Sequence, residues 1–272
     1  MADDRFDVVV IGSGPGGYVA AIRAAQLGMK VACVEADKLG GVCNNWGCIP
    51  TKAMLESAHY ATRLGELAEF GIQVGEVKLD IATAAKRAKK VAEQGARGVA
   101  FLFKKNNIEH VKGWGRLAGK GKVAVKGEDG ERVLEAKNII LATGSRARDL
   151  PILKIDGDRV WSSDHAVFPS AMPESLAVIG AGAVGMEFAD VYASFGAKVT
   201  IIEALDRVLP NEDKESSAAV EKSFRKRGIE VLAGARLEKA TVGKQGVKLV
   251  VQTKNGKTQT LDVERVLVAV GR

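Results

Sequence analysis

One pattern occurs twice in this chain of 272 residues. Residues 7–35 read DVVVIGSGPGGYVAAIRAAQLGMKVACVE, and residues 175–203 read SLAVIGAGAVGMEFADVYASFGAKVTIIE. Each copy runs from an apolar strand pattern through a glycine-rich turn into an alanine-rich helix closed by glycine. A second apolar strand follows and ends in glutamate. Gly12 and Glu35 are 23 positions apart, as are Gly180 and Glu203. Two such units commit the chain to two right-handed βαβ crossovers, and so to a parallel sheet in each half.

The spacing also carries chemistry. Gly12, Gly14 and Gly17 stand in G-x-G-x-x-G order, with Gly16 in the same loop; Gly180, Gly182 and Gly185 repeat it. In such a unit the first glycine makes the strand-to-helix turn and the second lets backbone approach a pyrophosphate. The third lets helix pack closely on strand. The helix N-terminus then offers unpaired N–H groups and a positive dipole end to the phosphates. Glu35 and Glu203 fall where a carboxylate accepts hydrogen bonds from an adenosine ribose. A single glycine turn can belong to a βα unit that binds nothing, but two copies with both acids in place predict dinucleotide binding. Glu203 favours NAD over NADP at the second copy, with Arg207 nearby as the competing signal.

The rest of the chain fits two α/β domains, doubly wound and Rossmann-like, each with a small antiparallel β insertion. At about 150 residues per domain the length allows two. Helices are predicted near 50–68 and 81–105, and short strands near 108–113, 122–126 and 131–135. NIILATGS (138–145) reads as a strand entering a small-residue turn. After the second copy come a helix near 213–227, the strand IEVLAG, and hairpins turning at GKQG (243–246) and KNG (254–256). The proline-bearing stretch 146–172 is the predicted break, giving domains 1–148 and 149–272. The net charge of +7 is spread over predicted helices and hairpins, so it argues for solvated faces rather than a nucleic-acid groove. The acidic start MADDRFDVVVIG does not resemble a signal peptide, and no apolar run approaches the ~20 residues of a membrane span. A cytoplasmic protein is expected.

GGVCNNWGCIPTK (40–52) holds two of the three cysteines, Cys43 and Cys48. On one straight helix, residues five apart rise by about 7.5 Å, whereas a disulfide needs Cα atoms within roughly 7 Å. A bridge therefore needs a bent turn, which Asn44, Asn45 and Gly47 permit. Pro50 suits a first helical turn, which starts the helix near Cys48 and sets that thiol at a positive helix end. A zinc site wants about four ligands, yet Cys33 lies in a strand pattern and His59 is the one histidine close in sequence. No metal is expected. The loop leaves the second strand of the first unit, where such folds place their cofactor. That placement favours a redox couple over inert thiols.

This segment resembles the redox motif of the pyridine nucleotide–disulfide oxidoreductases, and its CIPTK ending is most similar to their dihydrolipoamide dehydrogenase branch. GSGPGG, LATGS, GAGAVGMEF and VAVGR fall in the family's order. The resemblance implies FAD at the first glycine motif and NAD at the second. It makes Cys48 the thiol facing the flavin and Cys43 the interchange thiol, joined as a redox-active disulfide. Lys52 would lie by the flavin and pair with Glu187 near the nicotinamide. Gly115 and Thr143–Gly144–Ser145 would line FAD, and Gly271 the NAD site. The implied substrate is dihydrolipoamide, carried on lipoyl domains of 2-oxo acid dehydrogenase or glycine cleavage complexes, and the implied assembly a homodimer. Family members run on past the position of Arg272, into a segment completing the FAD domain and an interface domain with a histidine–glutamate pair. His59, His110 and His165 match no such context. The alternatives are a catalytically incomplete FAD- and NAD-binding piece, or a disulfide reductase of the glutathione or mercuric type.

Overall fold

The computed structural model describes residues 4–128 and 130–272. The chain divides into two compact units, Met1–Pro50 with Lys89–Ser145 and Thr51–Ala88 with Arg146–Arg272. Both are α/β, and both build parallel strands around one glycine turn.

In the first unit, β1 (Arg5–Ile11), β2 (Val31–Glu35) and β3 (Glu109–Lys112) pair in parallel. Helix α1 (Pro15–Gln26) is the crossover between β1 and β2. Strands β4 (Trp114–Leu117), β5 (Lys122–Gly127) and β6 (Gly130–Leu141) complete the sheet order β3-β2-β1-β6-β5-β4. The strands expected separately at 131–135 and from 138 onward are thus one. The first half of β6 pairs antiparallel with β5, and its second half pairs parallel with β1. The polar residues Glu135, Lys137 and Asn138 in its middle hide this continuity in the sequence. β3 matches the strand expected near 108–113; Gly113, at φ +148°, separates it from β4, which was not anticipated.

Strand alternation sends Val9, Ile11, Ala32 and Val34 to the face covered by Val123, Val125 and Leu134 of the antiparallel strands. Val8, Val10, Val31 and Cys33 face the other way, against Ala21 and Ala24 of α1 and against Val99 and Phe103. The last two belong to α4 (Ile81–Lys105). Each fully buried Val or Phe in such a core contributes roughly 1.5–3 kcal/mol.

The second unit repeats the plan. Strands β7 (Val160–Trp161), β8 (Ser175–Ile179), β9 (Lys198–Glu203), β10 (Glu230–Ala233) and β14 (Arg265–Val268) form a parallel sheet in the order β10-β9-β8-β14-β7. A short helix α5 (Ser163–Ala166) follows β7, α6 (Ala183–Ser194) links β8 to β9, and α7 (Lys214–Lys226) precedes β10. One sheet face packs on the antiparallel β11 (Arg236–Val242), β12 (Val247–Gln252) and β13 (Thr258–Val263), through Val247, Leu249 and Val251. Within 146–172, read from its prolines as a break, Val160 and Trp161 are buried and add β7 to the sheet edge.

The division at 148/149 differs from the contact-defined units over residues 51–88. This segment holds most of α3 (Cys48–Leu64) and the start of α4. It joins the second unit through side chains that span long sequence separations: Thr62 Oγ1 donates to Ser194 Oγ at 3.0 Å, and Lys52 pairs with Glu187. Among the described residues, no helix is long and apolar enough to cross a membrane.

Candidate active site

The two glycine turns are built alike, atom for atom. Gly12 N–H donates to Val34 O at 2.8 Å, and Gly180 N–H to Ile202 O at 2.8 Å. Ala142 N–H donates to Ile11 O, and Ala269 N–H to Ile179 O, again at 2.8 Å. Each turn therefore sits above the end of the strand that lies on the far side of its own strand from the crossover, β6 in one unit and β14 in the other. That is the point where a doubly wound sheet opens to a ligand.

The three glycines of each motif are not equivalent. A Cβ on Gly12 would stand 2.2 Å from Ala142 O, and one on Gly180 would stand 2.5 Å from Ala269 O. Both residues also hold left-handed φ angles, +99° and +101°. A Cβ on Gly17 or Gly185 would overlap the carbonyl of Gly12 or Gly180 at 1.8 and 2.0 Å. These four glycines are required by the protein itself. The second glycine of each motif is different: a Cβ on Gly14 would come no nearer than 4.0 Å to anything, and one on Gly182 would meet nothing within 4 Å. Gly16 is equally open. Gly14 and Gly182 are the N-caps of α1 and α6, with φ −64° and −72° and no side-chain cap. The helix N–H groups face open space that a bare backbone keeps clear, and a dinucleotide pyrophosphate fits that cradle.

The glutamates complete the likeness. Glu35 Oε2 accepts from Ser13 N at 2.9 Å and Ser13 Oγ at 2.6 Å, and its Oε1 from Asp37 N at 2.9 Å. Glu203 Oε2 accepts from Ala181 N at 2.7 Å, and Oε1 from Leu205 N at 2.8 Å. A carboxylate has about four lone-pair sites, so Glu203 keeps two for ribose hydroxyls and Glu35 keeps one. Ser13 is fully buried and was not anticipated; its signal is the middle position of G-x-G, which Ala181 fills in the second copy.

Glu203 borders a cavity of about 640 Å³ in the second unit, lined also by Gly180, Gly182, Leu205, Val270 and Gly271. Gly271 adopts φ +113° and its carbonyl accepts from Arg148 N at 3.1 Å. Arg207 is turned away from this role, since its guanidinium donates to the carbonyls of Pro210 and Glu212 at 2.7 and 3.2 Å. The ribose end of the cavity thus presents a carboxylate, which suits a 2′-hydroxyl and repels a 2′-phosphate.

The cysteine segment is anchored on the first glycine turn. Gly40 N–H donates to Ser13 O at 3.0 Å. Gly41, at φ +61°, lies so close that a Cβ there would stand 2.6 Å from Gly14 Cα. From this contact the chain enters α2 (Gly41–Asn45), breaks at Trp46 and Gly47, and restarts as α3 at Cys48. A Cβ on Gly47 would stand 3.0 Å from Cys43 Cα. Cys48 is the next residue, one Cα step of about 3.8 Å away. The bend is held by buried Asn45, whose Nδ2 donates to Leu39 O at 3.0 Å and Gly41 O at 2.9 Å.

All three cysteines are thiols, with Cys43 half-buried and Cys48 exposed. Cys33 differs from both: burial, and secondarily Glu35, pushes its thiol up to about 12, so it stays protonated. Lys52 is one turn beyond Cys48 on α3, and its Nζ donates to Glu187 Oε1 at 2.5 Å. Gly115 lies on β4, where a Cβ would press on Ile11 and Val34 at 3.0 and 3.1 Å, so core packing already demands this glycine. Thr143, Gly144 and Ser145 leave the end of β6 exposed, with Gly144 at φ +71°.

The comparisons with known proteins agree with this geometry. The family described as Pyridine nucleotide-disulphide oxidoreductase matches residues 6–272. Over 98% of its length the chain is 46% identical to dihydrolipoyl dehydrogenase of Zymomonas mobilis subsp. mobilis, covering 58% of that protein. It is 47% identical to the dihydrolipoyl dehydrogenase of Chlorobaculum parvum, covering 57%. Among solved structures, LpdA of Mycobacterium tuberculosis superposes with a TM-score of 0.88 at 28% identity, over 98% of this chain and 58% of that one. The HOCl-induced flavoprotein disulfide reductase RclA of Escherichia coli gives 0.80 at 26% identity, over 98% and 56%. The chain therefore spans a little over half the length of the relatives it matches. Proteins of this kind use FAD and NAD, and the two open glycine cradles of this chain fit one dinucleotide each. With its two matched glycine turns, its cysteine-bearing bend and this agreement along nearly its whole length, the chain belongs to the pyridine nucleotide–disulfide oxidoreductase family.

Proposed function

We propose that this chain carries the FAD site, the NAD site and the thiol couple of a dihydrolipoyl dehydrogenase. It would oxidise dihydrolipoamide to lipoamide with NAD⁺ as final acceptor. The observation that supports this most is the tether of the cysteine bend to the first nucleotide turn, through Gly40 N to Ser13 O and Gly41 on Gly14. It fixes a thiol pair beside one cofactor cradle.

In this reading Cys43 and Cys48 begin as a disulfide. A substrate thiolate attacks Cys43 Sγ, forming a mixed disulfide and releasing Cys48 as a thiolate at the start of α3, where the helix end favours the anion. The second substrate thiolate then displaces Cys43, and cyclic lipoamide leaves. Two electrons have passed from the substrate dithiol to the cysteine pair, and the substrate's two thiol protons have gone to Cys43 and to solvent. When bound, FAD and NAD supply the two-electron and hydride chemistry that restores the disulfide. Lys52, held by Glu187, sets a positive charge one turn from the Cys48 thiolate. Glu203 and Glu35 orient the two adenosine riboses. This placement and the resemblance to the family support these residue roles.

The proposed setting is a cytoplasmic homodimer that serves lipoyl domains of 2-oxo acid dehydrogenase or glycine cleavage complexes. The names of the relatives support the substrate. The test is a steady-state assay of the FAD-loaded protein with dihydrolipoamide and NAD⁺, beside NADH with oxidised glutathione. NADH formation that disappears in Cys43→Ser supports the reading. Turnover with glutathione and none with dihydrolipoamide would replace it with a disulfide reductase.

A further inference from the structure

Asn44 follows Cys43 directly, and its side chain is buried at 9% exposure. It leaves α2 and reaches the middle of α4, where Nδ2 donates to Ala92 O at 3.1 Å. Its Oδ1 lies over Gly95, and a Cβ on that glycine would stand 2.0 Å from it. Glycine disfavours a helix interior, so Gly95 opens a notch in α4 where the amide enters. On its other side Asn44 is held against Gly40, where a Cβ would come within 2.7 Å of the Asn44 Cβ. Just past the notch, Val99 and Phe103 root α4 in the core of the first unit. The amide is therefore the side-chain link from the residue next to Cys43 to a fixed helix. An apolar side chain could fill such a site without desolvating an amide, so the polar choice fixes an orientation.

We propose that Asn44 is a positioning residue for the thiol couple: seated in the Gly95 notch, it holds Cys43 against Cys48 and sets how readily the pair passes between dithiol and disulfide. The proposal rests on reading these cysteines as a redox couple. Oxidation joins the two Sγ atoms with loss of two protons and two electrons, which an acceptor disulfide takes up as it becomes a dithiol. Releasing the clamp gives the dithiol form more conformations, so the bridge forms less readily.

Two variants approach the clamp from opposite sides. Asn44→Ala removes the amide. Gly95→Ala leaves residue 44 intact and favours the helix, but its methyl group expels the amide from the notch. Each protein is equilibrated with mixtures of reduced and oxidised dithiothreitol, alkylated, and the peptide bearing Cys43 and Cys48 is quantified by mass. Both variants should shift the equilibrium toward the dithiol by about tenfold, equivalent to roughly 30 mV. The urea midpoint of Gly95→Ala should stay at or above that of the parent, which separates positioning from a structural role. Equilibria within about twofold of the parent in both variants, or in Gly95→Ala alone if Asn44→Ala does not fold, would overturn the proposal. A parent protein that forms no Cys43–Cys48 disulfide in any mixture would sink the underlying reading, and the proposal with it.

Discussion

Gly180 and Gly182 differ by two positions, yet alanine at each should have opposite consequences. At Gly182 the backbone has φ −72° and ψ 178°, which any residue adopts, and a Cβ meets nothing within 4 Å. Alanine loses a few tenths of a kcal/mol of capping preference and gains about as much from a less flexible unfolded chain, so stability changes by less than about 1 kcal/mol. The methyl group does occupy the mouth of the α6 N-terminus, where a pyrophosphate would meet the helix N–H groups. Losing one charge-assisted hydrogen bond costs about 1.5–3 kcal/mol, so the NADH dissociation constant should rise roughly ten- to hundredfold. At Gly180, φ is +101° and the Cβ would stand 2.5 Å from Ala269 O. Strain of about 1–3 kcal/mol plus the overlap should appear directly as lost stability. Urea unfolding and calorimetric titration with NADH on both variants separate these effects. A Gly182→Ala protein that is fully stable and binds NADH within about twofold of the parent would refute the assignment of that open space to the cofactor.

Three further outcomes follow from the geometry. Glu203→Gln sets an amide NH₂ against either Ala181 N–H or Leu205 N–H, so it should cost about 1–3 kcal/mol in urea unfolding and weaken NADH binding. Cys33 has its thiol raised from 9.0 to about 12; the unfolded chain therefore ionises first. The stability it contributes is full below about pH 9 and falls as pH rises toward 12, and Cys33→Ala should flatten that part of the unfolding profile. Lys52→Met breaks a largely exposed ion pair, so it should change stability by under about 1 kcal/mol while lowering dihydrolipoamide turnover.

What the sequence made legible was local. The two βαβ units are written in contiguous residues, because a glycine turn, an amphipathic helix and two apolar strands each leave a periodic mark. The ends of those units, Glu35 and Glu203, could be placed by counting. Contacts between distant segments left no such mark. Lys52 and Glu187 lie 135 positions apart and were paired only by resemblance. The Asn44–Ala92 bond spans 48 positions, and nothing in the sequence around Gly95 marks it as the notch that receives the amide. Strand β6 was divided because its polar middle breaks the apolar run, although each half finds a different neighbour. The 51–88 segment was assigned by sequence order, whereas its packing comes from α3 side chains that meet the second unit.

The central claim is that Cys43 and Cys48 exchange electrons as one couple while Cys33 takes no part. Peptide mapping of the protein after oxidation by lipoamide, with thiols blocked before digestion, reads this directly. The account predicts a single Cys43–Cys48 crosslink that dihydrolipoamide removes, with Cys33 unmodified until the protein is unfolded. A bridge involving Cys33, or no crosslink between Cys43 and Cys48, would contradict it.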